Sequence, residues 1–279
     1  MKVIFILGTG HCGSTLLDMI LGAHPDITGV GEIDTINKEL EQGDLCTCGR
    51  KLPDCSLWSH KIEEIKSWRG MQVHRGKRRF LQNSSSYEYI DTNRPVHHSN
   101  FCVNQQDLYD FVLKKQKSKV IVDSSKNPDR VELISECEEI EPVILHLVRD
   151  GRGVLWSYKK KYNKTLAFIW KWIASNLKVE IIRRRSDIPY LFVRYHDLAN
   201  NPEKEIKRIL QEVNVDFEPS MLSFRDENQH QVSGNRIRLQ SSEAIEEDLE
   251  WQNKLSFLDR GLFMCIAGWL NWYYAEKYD

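Results

Sequence analysis

The chain has 279 residues, with 39 Lys and Arg against 40 Asp and Glu, for a formal charge of −1. That balance excludes a global field drawing it to nucleic acid or an anionic membrane, so neither is expected as a partner and any bound anion must be held locally. With 41% hydrophobic and 10% aromatic residues the chain can bury a sizeable core, which excludes a disordered polypeptide.

The first element in chain order is the apolar run KVIFIL (2–7), too short for a signal-peptide core and read as a buried strand. It runs into GTGHCGST (8–15) and then STLLDMILGA, where Leu16, Leu17, Ile20 and Leu21 repeat at helical spacing. Residues 42–104 break the rhythm with CTCGRKLPDC, HRGKRRF and NSSSYEYIDTNRPVHHSN and no second clear strand; such an insertion reads as a cap that shapes a binding pocket. KVIVDSS (119–125), PVILHLVR (142–149) and PYLFVRY (189–195) are further apolar runs, each followed by a helix-like segment. Together with the first run they make four expected core strands. A helical stretch between Arg149 and Pro189 carries Trp156, Trp170 and Trp172. After Ser241 the chain reads as helix to its end, with Trp251, Leu255, Leu258, Leu262, Ile266 and Trp269 at largely helical spacings, and these aromatics read as core.

The expected fold is therefore α/β, a P-loop-like parallel sheet flanked by helices. It forms one domain over 1–279, with an inserted cap at 42–104 and a helical region at 241–279. No run approaches the roughly 20 apolar residues of a membrane helix. Seven cysteines, an odd number without a secretory signal, point to free thiols and a cytoplasmic location.

Against the phosphate-loop pattern G-x-x-x-x-G-K-[ST], Gly8, Gly13 and Thr15 fall in place, but Ser14 stands where the lysine belongs. A glycine-rich turn between strand and helix still presents backbone N–H groups to an anion, the helix dipole adds positive potential, and Ser14 and Thr15 add hydroxyls. A nucleoside triphosphate with Mg²⁺ concentrates about four negative charges at such a loop, so the missing lysine favours a less charged ligand such as a phosphosulfate, which requires no metal.

GTGHCGSTLL, then GAHPDITGVGE and much later VRDGRGVLWSY, resembles the sulfotransferases that use 3′-phosphoadenosine 5′-phosphosulfate. The likeness is to bacterial-type and tyrosylprotein-type members and touches residues 2–34, 119–163 and 189–213. It implies that Gly10, His11, Cys12, Gly13, Ser14 and Thr15 hold the 5′-phosphosulfate, and that Arg149 and Ser157, eight residues apart, hold the 3′-phosphate. Tyr195 matches an adenine-contacting tyrosine, and Gly234, Asn235 and Arg238 of SGNRIR match a further 3′-phosphate loop. The family's usual Lys or Arg in the fourth loop position is His11 here, a group with an ordinary pKa near 6.5 that a phosphosulfate would favour in its protonated form. His11 is expected to donate to the bridging oxygen as adenosine 3′,5′-bisphosphate leaves.

Sulfuryl transfer needs in-line geometry, a stabilised leaving group and a base. Glu32, of the GE segment, is the expected base with Asp34 in reserve, and Lys126, after the second core run, is expected to stabilise the leaving group. Asp150 is expected to orient Arg149 or a neighbour. The expected activity is sulfonate transfer to a hydroxyl or amine of a small-molecule acceptor, a natural product. A P-loop small-molecule kinase, in which Asp123 would orient Mg²⁺, is the alternative, and a non-catalytic nucleotide-binding module is a third reading. Tyr87, Glu88, Tyr89 and Asp91 could suit a polar or cationic acceptor.

No residue is assigned to a metal. Cys46, Cys48 and Cys55 read as reduced cysteines packing the cap, although a three-thiolate zinc site with His60 as fourth ligand is conceivable. Cys12 reads as a small residue that fits the loop. The basic run Arg75, Lys77, Arg78, Arg79 and the trio Arg183, Arg184, Arg185 read as solvated faces.

Overall fold

The computed structural model describes residues 1–67, 88–91, 94–162, 164–225, 229–239 and 245–276, with backbone alone for 88–91 and 94–99. Its elements are β1 (Lys2–Leu7), α1 (Ser14–Gly22), β2 (Ile27–Gly31), α2 (Ile36–Gln42), α3 (Ile62–Ser67), β3 (Glu88–Asp91), β4 (Arg94–His97), α4 (His98–Gln116) and β5 (Val120–Asp123). They continue with α5 (Pro128–Ile134), β6 (Glu141–Val148), α6 (Gly151–Lys159), α7 (Thr165–Arg185), β7 (Tyr190–Arg194), α8 (Tyr195–Asn200), α9 (Pro202–Val213), α10 (Trp251–Lys254) and α11 (Phe257–Glu276).

The fold is α/β, with a five-stranded sheet of order β2-β5-β1-β6-β7. The four apolar runs read from the sequence are β1, β5, β6 and β7. Strands of a parallel sheet are covered on both faces, which is why these runs are apolar throughout rather than alternating. The fifth strand, β2, was not expected; its sequence ITGVG carries two glycines and lacks the apolar density of the others.

The chain divides into two compact units, each made of three stretches of sequence. The first comprises Met1–Phe5, Thr15–Val143 and Glu218–Ser242; the second comprises Ile6–Ser14, Ile144–Phe217 and Glu243–Asp279. In the first, β5 pairs in parallel with β1 (Lys2↔Val120 to Phe5↔Asp123) and with β2, whose register shifts between Gly29 and Gly31. Residues 42–104, the expected cap, belong to this unit. Besides α3 they hold an antiparallel pair, β3 with β4, where no strand was expected. Glu88, Tyr89 and Asp91 lie on β3, described by backbone only, while Tyr87 and the basic run Arg75, Lys77, Arg78, Arg79 lie outside the described residues.

In the second unit β6 pairs in parallel with β7 (Ile144↔Tyr190 to Val148↔Arg194). Its core joins α6, α7, β7 and α11 through Trp172, Phe192, Phe263 and Tyr274, with Trp172 and Phe263 rings 5.5 Å apart and Phe192 stacked on Tyr274 at 5.6 Å. The expected core stripe of the C-terminal helix needs correction. Trp251 and Leu255 are buried, but Leu258 is 81% and Trp269 58% exposed, and α11 instead buries Phe263, Ala267, Leu270 and Tyr274. Nor is the segment helical throughout, since residues 245–249 precede the short α10 without helix. Trp170 is exposed as well, whereas Trp172 is core.

The expectation of free thiols throughout is also corrected. Cys102 and Cys137 form a disulfide with Cα atoms 5.4 Å apart, while Cys12, Cys46, Cys48, Cys55 and Cys265 are free. Such bonds persist in oxidising surroundings, so cysteine usage no longer argues for the cytoplasm. Among the described residues no helix is long and apolar enough to cross a membrane.

Candidate active site

The second unit carries the loop. β1 ends at Leu7 and α1 starts at Ser14; between them the backbone takes positive φ at Gly8, at His11 (66°) and at Gly13 (99°). His11 is not glycine, so its left-handed conformation stores strain of about 1–3 kcal/mol that the surroundings must hold in place. Two contacts do so: its ring meets Tyr158 edge-on at 4.6 Å, and its carbonyl accepts from Arg149 Nη1 at 3.3 Å. Gly13 admits no side chain, because a Cβ would fall 2.6 Å from the Tyr195 ring. Cys12 is 1% exposed, with Sγ against Gly8, in keeping with a small residue that fits.

Beneath the loop, Asn176 Nδ2 donates to Thr9 Oγ1 (3.3 Å) and Asn176 Oδ1 accepts from His146 Nε2 (3.0 Å). His146 Nδ1 is hydrogen-bonded to the Tyr190 hydroxyl at 2.9 Å, and that hydroxyl also reaches Glu180 Oε1 at 3.3 Å. The loop thus rests on a buried polar chain drawn from β6, α7 and β7.

Arg149 follows β6 and is 92% buried in side-chain terms, at 8% exposure. Its Nη2 donates to the Asp248 carbonyl (2.7 Å) and pairs with Asp248 Oδ2 (3.0 Å), and its guanidinium lies 4.8 Å from the Tyr195 ring centroid. Burial pushes the Asp248 carboxyl up, but the Arg149 hydrogen bond and charge more than reverse this and hold it below the usual range. Tyr195 donates to the Glu246 carbonyl at 3.2 Å. A cavity of about 220 Å³ is lined by Arg149, Asp150, Tyr195, Asp248 and Trp251 among others. Asp150 orients its neighbour Arg152 rather than Arg149: it caps α6 through the Arg152 amide (2.8 Å) and pairs with the Arg152 side chain (2.6 Å), which stacks over Trp251. Ser157 is half-buried on α6. Of the arginine trio, Arg183 pairs with Glu180 (3.0 Å), and all three are exposed at the end of α7.

The first unit carries the expected acid–base residues. Lys126, at φ 54° just past β5, donates to Glu32 Oε1 (2.6 Å) and to the Ser124 carbonyl (2.9 Å), so two of the three residues expected to act in catalysis form one ion pair. Asp34 is buried; its Oδ2 accepts from Asn127 (3.3 Å), its Oδ1 has no partner among the described residues, and burial pushes its carboxyl up to about 6. Gly234, at φ 97°, stands between this pair and the first turn of α1: a Cβ there would lie 3.0 Å from Thr15 Oγ1 and 3.9 Å from Glu32 Oε1. The Asn235 amide donates to Thr15 Oγ1 at 3.1 Å. Arg238 is a strut for this turn, donating to the Ser233 carbonyl (2.5 Å) and to Asp44 (3.2 Å).

Asp123 is fully buried and its oxygens are engaged. Oδ2 accepts from the Tyr109 hydroxyl (2.8 Å) and from Arg130 Nη2 (3.1 Å), and Oδ1 accepts from the Ser125 amide (2.9 Å). A carboxylate tied to a buried guanidinium is a structural pair, which removes the strongest feature of the kinase reading.

Sequence reasoning missed Asp248, Tyr158, Asn176 and His230. Tyr158 directly follows Ser157 and could have been read from that position; the others lie far along the chain from what they touch. His230 joins the cysteines of the cap in place of His60, with Nδ1 3.3 Å from Cys55 Sγ and 3.8 Å from Cys46 Sγ.

Comparison with known proteins agrees with the geometry. A family model described as "Sulfotransferase family" matches residues 3–219. Among solved structures, the chain is similar to the sulfotransferase domain from the curacin biosynthetic pathway, with TM-score 0.64 and 18% identity over 96% of this chain and 97% of that one. It is also similar to the sulfotransferase domain of the Synechococcus PCC 7002 olefin synthase, with TM-score 0.61 and 19% identity over 94% and 93%. These likenesses carry the fold. No curated protein sequence matches.

Proposed function

Because the chain belongs to the sulfotransferase family, we propose that it transfers a sulfonate from 3′-phosphoadenosine 5′-phosphosulfate to a hydroxyl or amine of a small-molecule acceptor, a natural product. One observation carries the proposal. Gly234 sits against both the Thr15 hydroxyl and the Glu32 carboxylate, and Lys126 is bonded to that carboxylate at 2.6 Å. The first turn of the anion-binding helix, a proton acceptor and a cation therefore meet around one residue that has no side chain.

The residues suit a phosphosulfate without a lysine in the loop. Amides of Gly10–Ser14 and the N-terminus of α1 supply partial positive charge, and Gly13 leaves its space to the Tyr195 ring. When bound, the donor supplies an activated S–O bond. Glu32 accepts the proton of the attacking hydroxyl or amine on Oε2, while Lys126 holds Oε1. The acceptor gains the bond to sulfur, the S–O bond to phosphate breaks, and its electron pair stays on the phosphate oxygen. His11 delivers a proton to that oxygen. Arg149 and Ser157 hold the 3′-phosphate and Tyr195 the adenine. Gly234 and Asn235, expected at the 3′-phosphate, stand beside Thr15 and Glu32 and on this reading serve the phosphosulfate end instead, with Arg238 bracing their turn. The acceptor pocket is formed by the cap.

A cytoplasmic site of action, the expectation from the sequence, would require the Cys102–Cys137 bond to be open there. Thiol alkylation on rapid acid lysis tests this, and recovery of the intact disulfide refutes it. The donor is tested by thermal shift: adenosine 3′,5′-bisphosphate without metal stabilises the protein, and ATP with Mg²⁺ does not. Stabilisation by ATP with Mg²⁺ alone refutes the sulfotransferase reading in favour of a kinase.

A further inference from the structure

The cluster in the cap has no part in the chemistry above. Cys46 and Cys55 are fully buried, His230 is 6% exposed, and Cys48 is half-buried. Their ligating atoms, three Sγ and His230 Nδ1, all lie within 4.8 Å of one another. Reduced cysteines packing as small apolar groups would have no reason to converge on an imidazole nitrogen from three separate stretches of chain.

The distances have a specific meaning. A tetrahedral ion with Zn–S of about 2.3 Å and Zn–N of about 2.0–2.1 Å sets its ligand atoms about 3.8 Å apart for sulfur to sulfur and about 3.5–3.6 Å for sulfur to nitrogen. Cys55 Sγ is 3.6 Å from Cys46 Sγ and 3.8 Å from Cys48 Sγ. The two sulfur–nitrogen distances, 3.3 and 3.8 Å, bracket the tetrahedral value. Four of the six edges thus match a metal-sized tetrahedron, and the other two, from Cys48 to Cys46 and to His230, lie within 4.8 Å.

The backbone is arranged to present them. Leu45 and Lys51 bridge as antiparallel neighbours, the Cys46 amide donates to the Arg50 carbonyl (2.8 Å), and the Gly49 amide donates to the Cys46 carbonyl (2.9 Å). Gly49 turns this tight loop at φ 80°. The turn holds Cys46 and Cys48 on one side. Cys55 arrives one short helical turn later, and His230 is fixed by its own carbonyl, which accepts from the buried Trp58 indole at 2.7 Å.

We infer that Cys46, Cys48, Cys55 and His230 form a structural zinc site of the Cys₃His type, which ties the start of the cap to the segment 229–235. That segment is functionally placed: the Thr47 amide donates to the Gln231 carbonyl (3.2 Å), and Val232 pairs with β2, accepting from the Glu32 amide at 2.8 Å. Two residues later comes Gly234. The ion thereby fixes the strand that delivers Gly234 and Asn235 to Thr15 and Glu32. Closed four-ligand sites of this composition favour zinc over the harder divalent ions.

The test is metal analysis of the full chain purified under reducing conditions without added metal. About one zinc per chain is expected, released when a mercurial blocks the thiols. Exchange into Co²⁺ should give the intense visible bands of a tetrahedral site together with thiolate charge transfer. His60→Ala should keep the metal and His230→Ala should lose it. Because His230→Ala could also fail to fold, the Co²⁺ spectrum of the unaltered chain stands as an independent readout. Metal removal should also speed hydrogen exchange at residues 229–235. Absence of stoichiometric zinc together with no Co²⁺ uptake by the reduced chain overturns the inference. So does iron in place of zinc, or metal lost from His60→Ala but kept by His230→Ala.

Discussion

Asp248 occupies the cation that the 3′-phosphate is expected to need, and Asp248→Asn separates two meanings of that contact. Arg149 Nη2 holds both the Asp248 carboxylate (3.0 Å) and its carbonyl (2.7 Å). The amide substitution removes the charge and keeps the shape and the carbonyl contact. Arg149 is almost fully buried, but Asp248 is 35% exposed, so solvent screens the pair and it is worth about 1 kcal/mol. If a phosphate must displace the carboxylate, that energy is forfeited on binding. The substitution should then tighten adenosine 3′,5′-bisphosphate about fivefold. The same quantity appears with opposite sign in the free protein, whose Tm should fall by about 2–4 °C. The carboxyl is held below its ordinary value of 3.8, so it is ionised across the working range and the gain should be equal at pH 6 and pH 8. Calorimetric titration at fixed ionic strength reads the affinity and a thermal scan reads the stability. Weaker bisphosphate binding in the variant would refute the reasoning, since Asp248 would then be aiming Arg149 rather than competing for it.

His11→Ala should slow the chemical step in single-turnover assays and leave bisphosphate affinity within a few-fold; unchanged single-turnover rates would remove its role as proton donor. Gly13→Ala places a Cβ 2.6 Å from the Tyr195 ring at φ 99°, a strain of about 1–3 kcal/mol, so donor binding and Tm should both fall. Bisphosphate binding as tight as in the unaltered chain would contradict that packing. Burial, opposed by the Ser124 hydrogen bond, raises Asp18 from 3.8 to about 7, so the folded state binds the extra proton between those values and stability falls as pH rises through that window. Asp18→Asn should remove a drop of up to about 4 kcal/mol from the denaturation free energy between pH 4 and pH 7; parallel pH profiles for the two proteins would falsify it.

The strands β1, β5, β6 and β7 were legible because cover on both faces leaves a continuous apolar run. Strand β2 was not, because its composition answers to contacts rather than to burial: a Cβ at Gly29 would fall 2.1 Å from Asp18 Oδ1, so that position must be glycine. Helix α11 failed for the opposite reason. Its sequence FLDRGLFMCIAGWLNWYYAE is apolar almost all round, so periodicity offered two stripes and could not choose between them. Packing on Trp172 and Phe192 chose Phe263 and Tyr274. At the site, the loop and the segments holding Glu32 and Lys126 could be read locally. Their ion pair spans 94 residues, the Arg149 contact with Asp248 spans 99, and the Cys46 contact with His230 spans 184. Partners at such separations leave no periodic trace in one sequence. His60 is the nearest histidine to the cysteines in sequence but not in space.

The loop that lacks a lysine also acquires meaning from a long-range partner. A lysine in the loop would be a point charge beside the anion. Here Arg149 of the second unit grips the loop, with one guanidinium arm on the His11 carbonyl and the other on Asp248. The rigid fork of arginine holds both ends with separate nitrogens set in a fixed plane, whereas a lysine at 149 would offer one nitrogen on a flexible stem. A phosphate that replaces the Asp248 carboxylate on the second arm therefore acts on a group whose first arm fixes the left-handed turn at His11. On the proposed reading, recognition of the 3′-phosphate and the shape of the loop would then be set by a single side chain. The contacts that hold the left-handed turn at His11, the Tyr158 ring and the Arg149 arm on its carbonyl, do not call on a charge on the His11 side chain.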